Sequence, residues 1–136
     1  MRFEGRILRS GRWWAIEVPI LGVVTQGRTR REAFQMIKDA IDALADADGI
    51  DVDVHPGKGE HFEVSSADEG AMIAFLLKRQ RQMHGLSLAD VSARLGRKSR
   101  NAYARYEQGK AVPTIAKLSE LLKAVNPDGE LVLKTG

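Results

Sequence analysis

The stretch GLSLADVSARLGRKSRNAYARYEQGK, residues 85–110, contains two short helical patterns joined by a tight turn. Ser87 precedes the first pattern as a candidate N-cap, because a serine hydroxyl accepts from the free amides of a first turn. Gly96 follows that pattern and predicts its end. The apolar positions spaced three and four apart are Leu88, Val91 and Leu95. The stretch therefore predicts a helix, a turn and a second helix.

The second helix of this stretch is predicted to begin after Ser99 and to face outward with a polar side. Its expected inward positions are Ala102, Tyr103 and Tyr106. Its expected outward positions are Arg100, Asn101, Ala104 and Arg105. A helix of this kind fits the major groove of DNA, where arginine binds guanine and asparagine binds adenine. The alternative is an amphipathic helix with a basic outer face in an ordinary bundle.

Contacts to the DNA backbone are expected just before each of these helices. Cationic side chains and the amides of a helix N-terminus both bind phosphate. The predicted DNA-binding residues are Ser87, Arg97, Lys98, Ser99, Arg100, Asn101 and Arg105.

Two further helices complete this half of the chain. A capping box at residues 66–69 predicts a helix of about 16 residues that Gly85 closes. Thr114 is the expected N-cap of the last helix. Its inward positions are Ile115, Leu118, Leu121, Leu122 and Val125. We therefore expect an all-α bundle of four short helices.

A short strand is predicted at residues 130–134, after a turn at residues 126–129. An isolated strand is marginal in water, so we expect it to pair with the same strand of a second copy. The dimerisation residues would be Leu131, Val132 and Leu133, in a homodimer or a higher even-numbered oligomer. A frayed tail is the alternative.

The stretch resembles the phage-repressor-like, Xre-type helix-turn-helix family over roughly residues 70–125. The residues that carry the resemblance are Gly85 to Gly96 and Tyr103 to Lys110, followed by Pro113. The segment from Gly96 to Glu107 is about one residue longer than is usual in that family. The resemblance implies operator DNA as a partner and a structural ion pair between Arg81 and Glu107.

Charge divides the chain in the same way as these patterns. Residues 1–69 carry 9 Lys/Arg and 13 Asp/Glu, a net charge of −4, whereas residues 70–136 carry 12 and 5, a net charge of +7. A positive surplus on so small a segment attracts polyanions. A solvated basic surface without a ligand is the alternative.

The acidic half reads as an α+β domain with its boundary near residue 65. Strands are predicted at residues 3–8, 13–18, 23–25, 50–54 and 62–64. A helix follows Thr29, whose capping box with Glu32 opens it. Its apolar stripe is Phe34, Ile37, Ile41 and Leu44. The predicted domains are residues 1–65 and 66–136.

This half resembles HicB antitoxins. The resemblance rests on residues 14–19, Thr25-Gln26-Gly27, Thr29 and Glu32-Ala33. It implies a partial RNase H-like fold of strands with one helix, and a type II toxin–antitoxin system. The domain would neutralise a HicA-like mRNA-cleaving toxin, and the C-terminal half would repress the shared operon. An acidic surface complements a basic RNA-binding toxin; the toxin-contact residues are unknown at this level.

Several other functions are weighed against this one. The chain has no cysteine, which excludes disulfides and thiolate metal sites. No apolar run is long enough for a membrane span, and we expect a cytoplasmic protein without a cofactor that is not an enzyme. Alternatives are a regulator whose N-terminal domain senses a ligand or another partner, and an RNase H-like metal nuclease. The acidic positions are expected to form a solvated face, not a metal site: Asp46, Asp48, Asp51, Asp53 and Glu63.

Overall fold

The computed structural model describes residues 1–45, 49–96 and 100–136. For Arg100 it describes the backbone alone. The chain divides into two compact units, Met1–Met72 and Ile73–Gly136. The predicted boundary at residue 65 lies before this division, which falls inside a helix. No helix among the described residues is long and apolar enough to cross a membrane.

The first unit is an antiparallel sheet with one long helix. Its elements are β1 (Phe3–Ser10), β2 (Trp13–Val18), a 3-10 turn (Pro19–Leu21), β3 (Val23–Gly27), α1 (Arg30–Leu44), β4 (Asp53–Pro56) and β5 (His61–Ser65). The strand order is β3-β2-β1-β5-β4, and every neighbouring pair is antiparallel. β5 therefore lies between β1 and β4. The α+β prediction is confirmed, while the RNase H-like assignment stays a prediction.

Alternating burial along the strands shows why the sheet forms. Ile7 pairs with Ile16 across β1 and β2, and both side chains are buried. Gly5 lies opposite Phe62 on β5, whose ring occupies the place where a Cβ of residue 5 would stand. Phe62 in turn meets Phe34 of α1 edge to face, with 5.5 Å between the ring centroids. One face of the sheet and one stripe of α1 thus form a continuous apolar core.

A side-chain cap and a close backbone contact with Gly27 position the start of α1. The Thr29 hydroxyl accepts a 3.0 Å hydrogen bond from the Glu32 amide, which confirms the predicted N-cap. Gly27 lies against the first turn, because a Cβ there would meet the backbone nitrogen of Ala33. The predicted strand at residues 50–54 begins three residues later, at Asp53. Ile50 and Val52 are nevertheless buried, as expected.

The second unit contains four short helices. Their bounds are α2 (Glu69–Met83), α3 (Leu88–Arg94), α4 (Arg100–Glu107) and α5 (Ile115–Val125). The division between the units falls within α2. The core of the second unit consists of Ile73, Leu77, Val91, Tyr103, Leu118, Leu121, Ala124 and Val125. The predicted helical bundle is therefore confirmed.

One prediction about the start of α2 is wrong. Ser66 does not cap α2; the carboxylate of Asp68 accepts from the Ala71 amide at 2.9 Å, and the Ser66 hydroxyl binds the Asp68 amide. Residues 130–134 form no strand in the single chain, and their pairing with a second copy stays a prediction. Strand backbone needs a neighbour for its hydrogen bonds, and the second unit contains helices but no described strand. Val132 and Leu133 are mostly exposed.

Candidate nucleic-acid interface

A buried ion pair ties the end of α4 to α2. Arg81 donates from Nε and Nη2 to the two carboxylate oxygens of Glu107, at 2.7 and 3.0 Å. Its Nη1 donates to the carbonyl of Leu86 at 2.9 Å. The side chains of Arg81 and Glu107 are only 15% and 6% exposed. This is the pair that the helix-turn-helix resemblance implied, and one guanidinium holds α2, the following turn and α4 together.

The electrostatics of this pair are coupled to a buried phenol. The hydrogen bonds to Glu107 raise the pKa of Arg81, against the opposing effect of burial. Burial raises the pKa of Tyr103, and the nearby Glu107 carboxylate raises it further. Arg81 therefore stays charged and Tyr103 neutral throughout the physiological range.

The exposed face of α4 differs from the predicted one by a rotation of the helix. Asn101, Ala102 and Arg105 are exposed. Tyr103 and Ala104 are buried, and Tyr106 is half-buried. The prediction that Ala104 faces outward and Ala102 inward is wrong, because Glu107 must point toward Arg81 and this sets the rotation. Asn101 and Arg105, four residues apart, still share the outer face as predicted.

This geometry agrees with a comparison against protein families. Residues 77–126 match a family model described as Helix-turn-helix. The segment is a helix-turn-helix domain. The matched region begins within α2 and ends just beyond α5, so it leaves the first unit outside the match. A comparison with curated proteins finds no match.

In the helix-turn-helix motif, the second helix of the pair is the recognition helix, which lies in the major groove of DNA. In this domain the pair is α3 and α4, and α4 occupies the position of the recognition helix. An exposed asparagine and arginine on such a helix have the donor and acceptor groups that base edges require. The domain is thus of the kind found in DNA-binding transcription regulators.

The N-terminus of α3 is a complete capping box. The Ser87 hydroxyl accepts from the Asp90 amide at 3.0 Å, and the Asp90 carboxylate accepts from the Ser87 amide at 2.8 Å. These bonds lower the pKa of Asp90. The Ser87 side chain is engaged within this cap, and its contact with a phosphate stays a prediction. Sequence reasoning found Ser87 but missed Asp90, although the pattern S-x-x-D signals it.

A second residue that sequence reasoning missed holds α3 against α5. Arg94 donates from Nη1 to the carbonyl of Ala124 at 3.0 Å. Cationic donors bind the free carbonyls at helix C-termini well. Nothing in the local pattern around Arg94 signals this contact, since its partner lies 30 residues away.

Four of the predicted DNA-binding residues lie wholly or partly outside the described residues. Arg97, Lys98 and Ser99 lie outside the described residues. The side chain of Arg100 also lies outside them, although the residue begins α4. The structure therefore brings together Asn101 and Arg105 on α4 and places Ser87 at the start of α3.

The acidic residues of the first unit were also weighed as metal ligands. Asp51 and Asp53 are exposed, and Asp46 and Asp48 lie outside the described residues. His55 binds the Ser65 hydroxyl at 2.8 Å. The described residues contain no group of three or more side chains that could hold a metal ion.

Proposed function

We propose that the chain is an autorepressor of the HicB antitoxin type, without enzymatic activity. Its helix-turn-helix domain would bind an operator, and its first unit would neutralise a small HicA-like toxin. The observation that carries the proposal is the exposed Asn101–Arg105 face on a helix that a buried ion pair holds in place.

The DNA half of the proposal follows from rigidity and charge. Base readout requires side chains that are held in position before binding, and the Arg81–Glu107 pair provides this for α4. Residues 70–136 carry a net charge of +7, which supplies the phosphate attraction on which affinity depends. Shape and charge together favour sequence-specific duplex DNA.

The DNA half is tested on a duplex taken from upstream of the chain's own coding sequence. We expect Asn101→Ala and Arg105→Ala each to lose about 1–3 kcal/mol of discrimination between the operator and a scrambled duplex. Lys98→Ala should weaken binding to both duplexes and flatten the salt dependence. If all three variants bind the operator as the unchanged protein does, α4 is not the reading helix.

The toxin half rests on the charge and the order of elements in the first unit. Three strands, a helix and further strands follow one another as the HicB resemblance implies. The unit has a net charge of −4, and a basic RNA-binding toxin is its electrostatic complement. We therefore expect the acidic surface, not an enclosed catalytic site, to contact the partner.

Co-expression with the small reading frame adjacent to the gene tests this half. We expect a small basic protein to co-purify with the full chain and to arrest growth when expressed alone. If the neighbour is harmless and nothing co-purifies, the antitoxin role is wrong and only the regulator remains.

The proposal includes a dimer formed through residues 130–136. Leu131 is half-buried, while Val132 and Leu133 are 82% and 72% exposed. Such apolar side chains gain from burial against a second copy, and two copies present two recognition helices to an inverted repeat. Deletion of residues 130–136 should leave a monomer in sedimentation; a deletion variant that stays dimeric would contradict this part.

A further inference from the structure

The first unit contains a cluster of arginines at one end of its sheet. β1 ends there, β2 begins there, β3 ends there, and α1 starts there. The members, called the arginine cluster below, are Arg9, Arg12, Arg28, Arg30 and Arg31. Because neighbouring strands lie about 4.8 Å apart, the ends of these three adjacent strands span about 10 Å of the sheet.

The cluster holds most of the positive charge of an acidic unit. It contains five of the nine Lys/Arg in residues 1–69, so the remainder carries four Lys/Arg against 13 Asp/Glu, a net charge of −9. The positive charge of the unit is therefore concentrated in these five residues. Like charges that gather in this way repel one another, and their proximity favours an anionic ligand.

The arginines of the cluster lack acidic partners, unlike others in the same unit. Arg2 and Arg6 bind the carboxylates of Glu63 and Glu60. Within residues 1–45, 49–96 and 100–136, no carboxylate forms an ion pair with a member of the cluster. Arg9 instead donates to the Gly11 carbonyl at 3.3 Å. Among the described residues, carboxylates therefore neutralise Arg2 and Arg6, whereas none forms an ion pair with the cluster.

An exposed aromatic ring lies at the same end of the sheet. Trp13 is 40% exposed at the start of β2, and the guanidinium of Arg28 lies 5.8 Å from its ring centroid. The guanidinium of Arg30 lies 4.9 Å from the ring of Phe34 on α1. An exposed indole with a guanidinium over its ring is a platform for an unpaired base, with a cation beside it for a phosphate.

We propose that the arginine cluster and Trp13 bind single-stranded nucleic acid. Arginines would contact the phosphodiester backbone, and a base would stack on the indole of Trp13. Duplex DNA fits less well, because its stacked bases offer no free face to an aromatic side chain. The site is separate from α4 and does not rest on the proposed antitoxin role.

Intrinsic tryptophan fluorescence reports on this site directly, because the chain has two tryptophans and they are Trp13 and Trp14. The full chain is titrated with short oligo(U) and oligo(dT). We expect saturable quenching by at least one of them, and the ratio of the two affinities identifies RNA or DNA as the preferred polymer. Anisotropy of a labelled oligonucleotide gives the affinity independently.

Matched variants assign the binding to the cluster. Arg12→Ser combined with Arg28→Ser should weaken binding and reduce the slope of log affinity against log salt by about 1.4, for two lost single-strand phosphate contacts. Trp13→Ala should weaken binding about 5- to 150-fold. Arg2→Ser combined with Arg6→Ser removes the same charge elsewhere and should have a much smaller effect. Circular dichroism checks that each variant is folded.

Three results would overturn the proposal. One is the absence of quenching by both oligonucleotides. Another is an equal loss of affinity in the two double-arginine variants, which would indicate only general charge. The third is polyglutamate that binds as tightly as the oligonucleotides, which would indicate an acidic protein as the occupant. Asn101→Ala with Arg105→Ala should leave the quenching unchanged, which separates this site from the helix-turn-helix domain.

Discussion

The two units hold their surface helices in different ways. α1 is positioned by apolar packing: Gly27 admits its first turn, and Phe34 meets Phe62 beneath it. α4 is positioned by charge, since Arg81 and Glu107 form a bidentate ion pair that is almost fully removed from water. A helix held by packing depends on shape, whereas one held by a buried ion pair depends on both partners being present.

The difference suits the roles proposed for the two helices. α4 has only the eight residues from Arg100 to Glu107, and its buried Tyr103 packs in the core beside the ion pair. A bidentate contact fixes both position and rotation. α1 has 15 residues, and its buried stripe extends over several turns. Substitutions can therefore separate the two kinds of support.

Loss of Glu107 is expected to have the largest effect. Glu107→Ala leaves the buried guanidinium of Arg81 without its partner, and we expect a loss of about 3–5 kcal/mol in the free energy of unfolding of the second unit. Urea denaturation followed by circular dichroism measures it. The near-isosteric Glu107→Gln keeps the side-chain volume and one acceptor oxygen but removes the charge, and serves as the control for volume. A loss below about 1 kcal/mol in the alanine variant would show that α4 does not depend on charge.

Gly27→Ala should have an intermediate effect that is confined to the first unit. The added Cβ meets the backbone nitrogen of Ala33, which cannot move without shifting α1. We expect a loss of about 1–3 kcal/mol in unfolding free energy, with operator binding unchanged. Gly11→Ala is the comparison. A Cβ at residue 11 meets no other atom, so this substitution destabilises only through the left-handed φ of 62° that alanine rarely adopts. Equal losses in the two variants would contradict the packing account of α1.

The cap of α3 should give the smallest effect. Ser87→Ala removes the hydroxyl that accepts from the Asp90 amide, and we expect a loss of about 1 kcal/mol. The pKa of Asp90 lies below its ordinary value of 3.8 because of its hydrogen bonds to Ser87. Because the pKa is lower in the folded state, the ionised Asp90 stabilises the fold at pH values above 3.8. This stabilisation is lost as the pH falls through the lowered pKa. NMR titration of Ser87→Ala should show a higher pKa of Asp90, because the side-chain bond is lost while the stronger bond from the amide of residue 87 is kept; no rise would contradict the side-chain contribution of Ser87.

Local patterns predicted most elements, and long-range contacts account for what they missed. Thr29, Ser87 and Thr114 cap helices as expected, because capping involves neighbours in the chain. The rotation of α4 was predicted wrongly, because the local sequence does not distinguish Ala102 from Ala104 as the inward-facing alanine. Only the distant Arg81, 26 residues from Glu107, decides between them.

The tail shows a related limit of sequence patterns. Residues 130–134 are an apolar run between two charged residues and resemble a short strand, yet a strand forms only where another backbone offers hydrogen bonds. In the first unit the pattern at residues 62–64 does become a strand, because β1 and β4 lie on either side of it. A strand-like sequence pattern therefore predicts that a segment can pair in a sheet, and a neighbouring strand decides whether it does.

The central claim is that the face of α4 containing Asn101, Ala102 and Arg105 contacts DNA. The most direct measurement is the affinity of the operator duplex for Ala102→Glu, compared with Ala43→Glu on α1, since both alanines are exposed helical positions. We expect the first substitution to abolish specific binding, because it places a negative charge against the DNA, and the second to leave binding unchanged. An Ala102→Glu protein that is folded and binds the operator as tightly as the Ala43→Glu protein would contradict the account.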